Sequence, residues 1–451
     1  MAPRNSGGEA AKDEKPGAVA VAGQPEASGK AAEIALTAAP DIMTNSLGEY
    51  LRVWLRRVRS GESGALPVVI GLVVLGAYFQ LSQSSFLSAT NIANLMGQAG
   101  WIITIAMAQT FILLLGEIDL SVGFNAAIGG TITIWMVSVH HPWPTPVAIL
   151  AGLVVCMAIS TIEGLIIVWL KIPSFVVTLA GLLGLNGVLI FLFDAAGSVG
   201  NGGTITNHDT FINDLVNGNL SPVVGWVILI AAVVVGGVFM ILRDRRRRVN
   251  NLVAPPLGVT LLKLGVAAAI GALLVIVLNV NRGSLFVILE GVPWVVPILL
   301  VLLIASSILL SRTKFGRYVY AVGGNAEAAR RAGISLRRIR VLAFTLAGLF
   351  AGITGILYAS FLGSMSENFQ GGQYVLYSVA GGVIGGVSLF GGRGRMLGAV
   401  LGGFVVAVIY NGVDLLGLGA AGQYIWTAAV LLAAVTLDAI ARRGNTSIGT
   451  G

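Results

Sequence analysis

Charge is what this chain has least of. Only 11% of its 451 residues are Asp, Glu, Lys or Arg, against about 25% in an average soluble domain. So few charges cannot clothe a surface of this size in water. Cysteine is nearly absent as well. Cys156 stands alone in an apolar run, which excludes an internal disulfide and a Cys/His zinc cluster. The histidines are His140 and His141 beside Pro142, and His208 in a polar loop. None has a helical partner at ligand spacing, so no metal site is expected. There is no GxxxxGK[ST] phosphate loop; the nearest approach, Gly23 to Lys30, has the wrong spacing and is followed by Ala31. Nor is there a GxSxG elbow, an HExxH helix, a Ser/His/Asp set or a paired-carboxylate site. No catalytic residue is assigned, an enzyme is not expected, and ATP is not bound and hydrolysed by the phosphate-loop route.

What the chain has instead is apolar length. Hydrophobic residues make up 56% of it, and its mean hydropathy is +0.87. A membrane span needs about 20 apolar residues. Segments 66–80, 92–115, 120–139, 146–169, 174–193, 222–242, 257–279, 293–310, 341–360, 374–391, 396–414 and 424–440 meet or approach that length. The fold class is therefore an all-α polytopic membrane protein of about twelve hydrophobic segments, giving ten to twelve spans in a lipid bilayer. The 61 glycines suit helices that pack backbone to backbone in lipid. Segments 374–391 and 396–414 are short and glycine-studded, so they read either as full spans or as a pair of broken helices.

A net charge of +8 in a soluble protein would suggest nucleic acid. Here the cations sit between apolar runs, where they orient the chain, and no nucleic-acid partner is expected. Arg52 to Arg59, Lys171, Arg243 to Arg248, Arg312 to Arg340, Arg393 with Arg395, and Arg442 with Arg443 all fall on one side, leaving Arg282 on the other. The positive-inside rule then places both termini in the cytoplasm of a plasma or inner membrane protein. Residues 1–46, rich in Ala, Gly, Pro, Glu and Lys, read as a disordered cytoplasmic tail. Residues 47–60 read as an interfacial amphipathic helix with Leu47, Leu51, Trp54, Leu55 and Val58 on one face. The membrane domain occupies 61–443, and 444–451 is a second cytoplasmic tail.

Polar islands interrupt this pattern. In Thr313 to Val341, Asn325 is a good helix N-cap, Glu327 favours the first turn and Gly333 closes the element. Ser335 offers a second cap, so two short helices on a membrane face are predicted at 326–333 and 335–340; an ordinary cytoplasmic loop is the alternative. Residues 193–222 form the longest polar loop, which is either a receiving surface for a polar ligand or protein, or a plain connector.

Gly116 to Gly123, GEIDLSVG, puts Glu117 and Asp119 between apolar segments, where an unpaired acid is costly. Asp119 could cap the next helix with Glu117 solvated, the stretch could break a helix beside a polar pathway, or the acids could relay protons or sodium. Glu163, at the cytoplasmic end of its segment, can snorkel. Asn91, Asn94, Gln98, Gln109, Asn125, Asn186, Tyr410 and Asn411 are uncharged polar groups in or beside apolar segments. They suit either interhelical hydrogen bonds or a passage for a neutral polyhydroxy solute. Asn94, Gln98, Glu117, Asp119, Asn125 and Asn186 are the candidate pathway residues.

GGNAEAARRAG at 323–333 resembles the EAA-type coupling loop of ABC importer permeases. Together with GEIDLSVG at 116–123, KIPSFVVTLAGLLGLNG at 171–187, TKFGRYVYAVGGN at 313–325 and VIGGVSLFGGRGRMLGAVLGG at 383–403, it makes residues 66–443 similar to monosaccharide permeases of the ribose/xylose class. The longer middle of the chain, ending LNVNRGSLFVILEGVPWVVPILL, is most similar to the xylose type. The resemblance implies a type II ABC importer-like permease fold and a permease subunit carrying a pentose or hexose. Glu327, Ala328, Ala329, Arg330, Arg331 and Gly333 would couple to a separate ATP-binding subunit that holds ATP and Mg, so that this chain needs no cofactor of its own. An extracytoplasmic sugar-binding protein would deliver the solute, and a second permease copy would complete the pathway, as a homodimer or with a close relative. The opposing reading is a secondary transporter coupling ions through Glu117 and Asp119; a membrane scaffold is a third. Where family members often read ELDAIAA before the glycine-rich VIGG, this chain has VLYSVAG at 375–381, with Val375 and Tyr377 at the acidic positions.

Overall fold

The computed structural model describes residues 66–138, 142–198, 203–250, 254–283 and 288–446. The predicted 1–46 tail, the 47–60 helix and the pair His140 and His141 lie outside these residues. Within lipid a backbone must satisfy its own hydrogen bonds, which makes each apolar run a helix. In order, the elements are α1 (Leu66–Ser82), α2 (Ala89–Leu113), α3 (Val122–Met136), α4 (Thr145–Leu170), α5 (Ser174–Ala195), β1 (Thr204–Thr206), α6 (Thr210–Asn217), α7 (Pro222–Val249), α8 (Leu257–Leu278), α9 (Val295–Arg312), α10 (Lys314–Gly324), α11 (Ala326–Arg331), α12 (Leu336–Leu362), β2 (Ser364–Ser366), α13 (Gly371–Ile384), α14 (Met396–Leu415) and α15 (Gly419–Thr446). Every one of the apolar segments is a helix, and among the described residues 8 helices are long and apolar enough to cross a membrane. The last, α15, continues past residue 444, where a tail is predicted.

Helix α2 is the centre of the core and is buried along its whole apolar length. Around it pack α12, α13 and α14, while α12 also packs on α3 and α4. Small residues permit this closeness. A Cβ on Gly355 of α12 would lie 1.9 Å from the Ala126 carbonyl of α3, and one on Gly402 of α14 would lie 1.9 Å from the Gly381 carbonyl of α13. Such backbone-to-backbone packing gives helices an attraction for one another that lipid tails cannot match.

The ambiguous pair at 374–391 and 396–414 separates into unequal parts. Helix α13 has 14 residues, about 21 Å at 1.5 Å per residue, short of a bilayer core. It stops where Gly386 takes φ +82 and Val387 N donates to Gly382 O (3.0 Å). Helix α14 has 20 residues and spans.

Two ends are defined by this packing. The basic end carries α10, α11 and the arginine-rich end of α7; Arg312 at the close of α9 stands 5.3 Å over the Phe239 ring of α7. At the far end the described parts of the long polar loop, 193–198 and 203–222, are fastened to the helices. β1 pairs antiparallel with β2, in register Ile205↔Met365. Helix α6 is fastened to α12 through Val216 N to Ser360 Oγ (3.0 Å) and Ser360 Oγ to Asn213 O (2.9 Å). These contacts hold the described part of the loop over the far end of α12.

Candidate functional site

At the basic end, α11 stands out from the protein. Asn325 caps it, its Oδ1 accepting from Ala328 N (2.9 Å). Glu327 follows in the first turn and accepts from Arg330 Nη2 (2.8 Å) and Arg331 Nε (3.1 Å). These arginines hold the Glu327 carboxyl below its ordinary range. All three side chains remain exposed, at 51%, 66% and 77%, whereas Ala329 is buried and seats the helix. Gly333 takes φ +80, with Gly333 N donating to Arg330 O and Ile334 N to Ala329 O, both at 3.0 Å. That double bond is a Schellman stop, and it needs a left-handed residue at Gly333. Ser335 Oγ then accepts from Arg338 N (3.5 Å). The element it caps is not the short helix predicted at 335–340 but the first turns of α12. No glycine or proline lies between Leu336 and Ala347 to break it, and the amphipathic turn runs straight into the apolar span.

Behind α11, stretches from different parts of the sequence meet in a tight knot. Gly392 N donates to Leu114 O (2.9 Å), and Tyr320 Oη donates to Gly394 O (2.9 Å). A Cβ on Gly323 would lie 1.8 Å from Leu114 O. The glycines of GEIDLSVG, YAVGGN and LFGGRG are therefore contact points for one another. Arg340 Nε reaches Glu117 Oε1 at 2.7 Å, off the N–H axis, so the contact is an ion pair and not a directed hydrogen bond. Burial pushes the Glu117 carboxyl above its ordinary value, and the Arg340 guanidinium opposes the shift. Glu117 is thus paired and largely covered, which corrects the solvated reading.

Asp119 is wholly buried and is not the cap of α3. Ser121 holds the N-cap position, and Asp119 Oδ1 accepts from Ser121 N (2.8 Å) and Oγ (2.7 Å). The Gln109 amide, turned to suit its neighbours, clasps the Asp119 backbone with two contacts of 3.1 Å. Glu163 does not snorkel. It is buried, and its Oε2 lies 2.8 Å from Ser121 Oγ, because Gly181 of α5 closes over it: a Cβ there would lie 2.1 Å from Glu163 Oε1. Ser121 has one hydroxyl hydrogen and two carboxyl neighbours, so it donates to one of them at a time unless the other carries a proton of its own. Asp119 also accepts the Ser121 backbone N–H (2.8 Å), so a proton on Glu163 is the arrangement that would complete the bridge.

The far end holds a pocket of about 300 Å³. Rings form its wall: Tyr358, Phe369 and Tyr374 are mutually packed with centroids 4.8 to 5.5 Å apart, with Tyr410 alongside. Trp101 of α2 backs them, 4.8 Å from Tyr374 and 5.7 Å from Tyr410. Asn368, Gln370, Gln373, Gln423 and Asp414 supply amides and a carboxylate to the lining. Gln373 Nε2 reaches Gln423 Oε1 at 3.4 Å, and Tyr358 and Tyr374 share a hydroxyl contact of 3.1 Å. Flat rings beside amides and a carboxylate offer both a stacking face and a mixed set of donors and acceptors. That chemistry suits a small polyhydroxy molecule.

None of the six predicted pathway residues lines this pocket. Asn94 and Gln98 share a face of α2 with Trp101 by helical spacing; Asn94 is exposed, and the buried Gln98 Oε1 and Trp101 Nε1 have no hydrogen-bond partner. Glu117 and Asp119 lie at the basic end. Asn125 is structural, donating to Ser160 Oγ (2.9 Å) and Cys156 O (3.2 Å). Asn186 is half-buried on α5 and is not among the pocket's lining residues. Asn91 and Asn411 clasp each other across α2 and α14 at 2.8 and 3.0 Å. Among the pocket residues only Tyr410 is singled out by the sequence. The available signal was the run GQYVLY at 372–377, whose Gln373, Tyr374 and Tyr377 recur at helical spacing; Tyr377, at the position where acids often stand in the family pattern, is buried and joins Gln373 in a hydrogen bond.

Comparison with known proteins gives one answer along most of the chain. Residues 91–437 match the family described as branched-chain amino acid transport system / permease component. The chain is 32% identical over 378 residues to the xylose transport system permease protein XylH of Escherichia coli K12, covering 83% of this chain and 92% of that one. It is 33% identical over 374 residues to the Haemophilus influenzae protein of the same name, covering 82% and 95%. With the ribose import permease protein RbsC of Escherichia coli K12 the identity is 27% over 389 residues, covering 86% and 95%. No solved structure matches the chain significantly.

Proposed function

The chain belongs to the branched-chain amino acid transport system / permease component family, and we propose that within it this protein is the membrane permease of an ATP-driven importer of a monosaccharide, xylose or a similar pentose or hexose. The observation that carries the substrate class is the far-end pocket, whose rings, amides and carboxylate match a neutral sugar while no cationic side chain lines it. Its relatives over most of the chain are named for xylose and ribose transport. The positive-inside rule puts the basic end and both termini in the cytoplasm, so the pocket faces outward, where an extracytoplasmic binding protein would hand over the sugar.

A neutral sugar gains nothing from the membrane potential, so accumulation needs work from elsewhere. The exposed α11, with Glu327, Ala328, Arg330 and Arg331 presented and Gly333 turning the chain, is the proposed seat for an ATP-binding subunit holding ATP and Mg. Closure of two such subunits would push α11. The knot at Leu114, Gly323 and Gly392, together with the Glu117–Arg340 pair, would pass that push to α2, α3 and α12. A second permease copy would supply the other half of the pathway. The secondary-transport reading loses support because Glu117 is ion-paired and Asp119 is held by Ser121.

Uptake into vesicles, dependent on the binding protein and screened across pentoses and hexoses, tests the reading. One or a few sugars should be accumulated and compete with one another. Accumulation of an amino acid in place of any sugar would overturn it.

A further inference from the structure

Helices α7 and α8 form a hairpin that leans on the rest of the protein only lightly. On α7 only Gly225, Gly237 and Asp244 are buried, and on α8 only Val259, Thr260, Val275 and Leu278. Between this hairpin and α9 runs an apolar cavity of about 390 Å³, walled by side chains such as Leu229, Val233, Leu264, Leu274 and Val296. It offers a sugar almost nothing to hydrogen-bond. Its volume is about that of a single turn of a helix about 10 Å across, too little for another transmembrane helix. In a protein immersed in lipid, hydrocarbon is the natural filling.

The cavity is not apolar to its end. Met240 of α7 and Lys263 of α8 line it, and Lys263 is the only charged group that does. On α7 the positions Gly236, Met240, Arg243 and Arg247 share one face, so beyond the cavity that face carries arginines toward the basic end. Arg243 is engaged by Asp244 (3.0 Å), which also accepts from Thr260 Oγ1 (2.8 Å) and so pins α7 to α8. Arg247 lies beyond that pin. An apolar slot with Lys263 in its lining and arginines further along the same face of α7 is complementary to an acyl chain carrying an anionic head.

We propose that the slot between α7, α8 and α9 binds an anionic phospholipid, its acyl chain against the apolar walls and its phosphate against Lys263 and Arg247. The second observation that identifies the slot as open is Gly236, which lines it and where an added Cβ would meet nothing within 4 Å.

Native mass spectrometry of the full chain, delipidated in detergent and offered phosphatidylglycerol or phosphatidylcholine of equal chain length, tests this. The wild type should retain phosphatidylglycerol about tenfold better than phosphatidylcholine. Lys263→Gln with Arg247→Gln should lose that preference while keeping the weak phosphatidylcholine binding. Gly236→Trp, which fills the slot, should lose both. Arg245→Gln, on the opposite face of α7, should change neither, and thermal unfolding of each variant confirms that it is folded. Equal retention of the two lipids by the wild type, or a preference unaltered in the double variant, would overturn the proposal. So would a Gly236→Trp protein that binds as before, or one whose only change is dissociation of a dimer, which would make the slot a subunit contact.

Discussion

Ser121 sits between carboxyls that cannot both be charged and both be satisfied. With the proton on Glu163, the Ser121 hydroxyl is free to donate to Asp119, and the pair at 2.8 and 2.7 Å is complete. A glutamine at Glu163 donates the same hydrogen bond without a proton to lose. Glu163→Gln should therefore fold and take up sugar within about twofold of wild type, at every pH at which the wild type works, as read from uptake rates. Loss of uptake in this variant would mean that Glu163 exchanges its proton during transport. Ser121→Ala, by contrast, leaves buried carboxyls without their bridge and should cost about 1–3 kcal/mol of stability in thermal unfolding. In the far-end pocket the central ring is Tyr374, in contact with Tyr358, Phe369 and Trp101. Tyr374→Ala should lower uptake at limiting sugar about 3- to 10-fold. Tyr374→Phe keeps the ring and should lose much less; equal losses would shift the role from stacking to the hydroxyl.

At the scale of the element, α11 is a helix of only 6 residues, too short to stand on propensity alone. Its caps hold it: Asn325 at one end and the Schellman stop at the other. Proline at Gly333 can neither reach φ +80 nor donate to Arg330 O, since its ring fixes φ near −65° and removes the N–H. Gly333→Pro and Glu327→Arg should each abolish co-purification of the ATP-binding subunit while the chain still inserts in the membrane. Full co-purification would move the docking site elsewhere. The charge cluster also has a pH signature. Because Arg330 and Arg331 lower the folded-state value of Glu327 from its ordinary 4.5, the stability it adds is complete above that ordinary value. It is lost as pH falls through the lowered one. The gap in unfolding midpoint between wild type and Glu327→Gln should accordingly be flat at neutral pH and close in acid.

The helices, the caps at Asn325 and Ser335 and the stop at Gly333 are legible in the sequence because each is written within a few neighbouring residues. The rest depends on contacts between distant segments. Nothing near Glu163 announces that Gly181 seals it, and nothing near Glu117 names Arg340 as its partner. The pocket draws on α12, α13, α14 and α15 at once, so its aromatic and amide residues look like ordinary features of apolar helices until the chain folds. The acids stand out in the sequence because charge is rare here; in the fold they hold backbone and loops together at the basic end.

For the whole molecule, the two ends carry different chemistry and α2 with α12 connects them. One end has the ring-walled pocket and the fastened loop. The other has an exposed, capped helix resting on a glycine knot, with an arginine collar and no phosphate-binding loop of its own. On the proposed reading, recognition belongs to one face and the entry of work to the other. On that reading the work comes from ATP through a partner and not from ions through the buried acids. Sugar uptake by the permease reconstituted in sealed vesicles, with and without the ATP-binding subunit and the binding protein, tests it most directly. Accumulation should require both partners and ATP, and should persist when proton and sodium gradients are collapsed. Accumulation by this chain alone under an imposed ion gradient would contradict it.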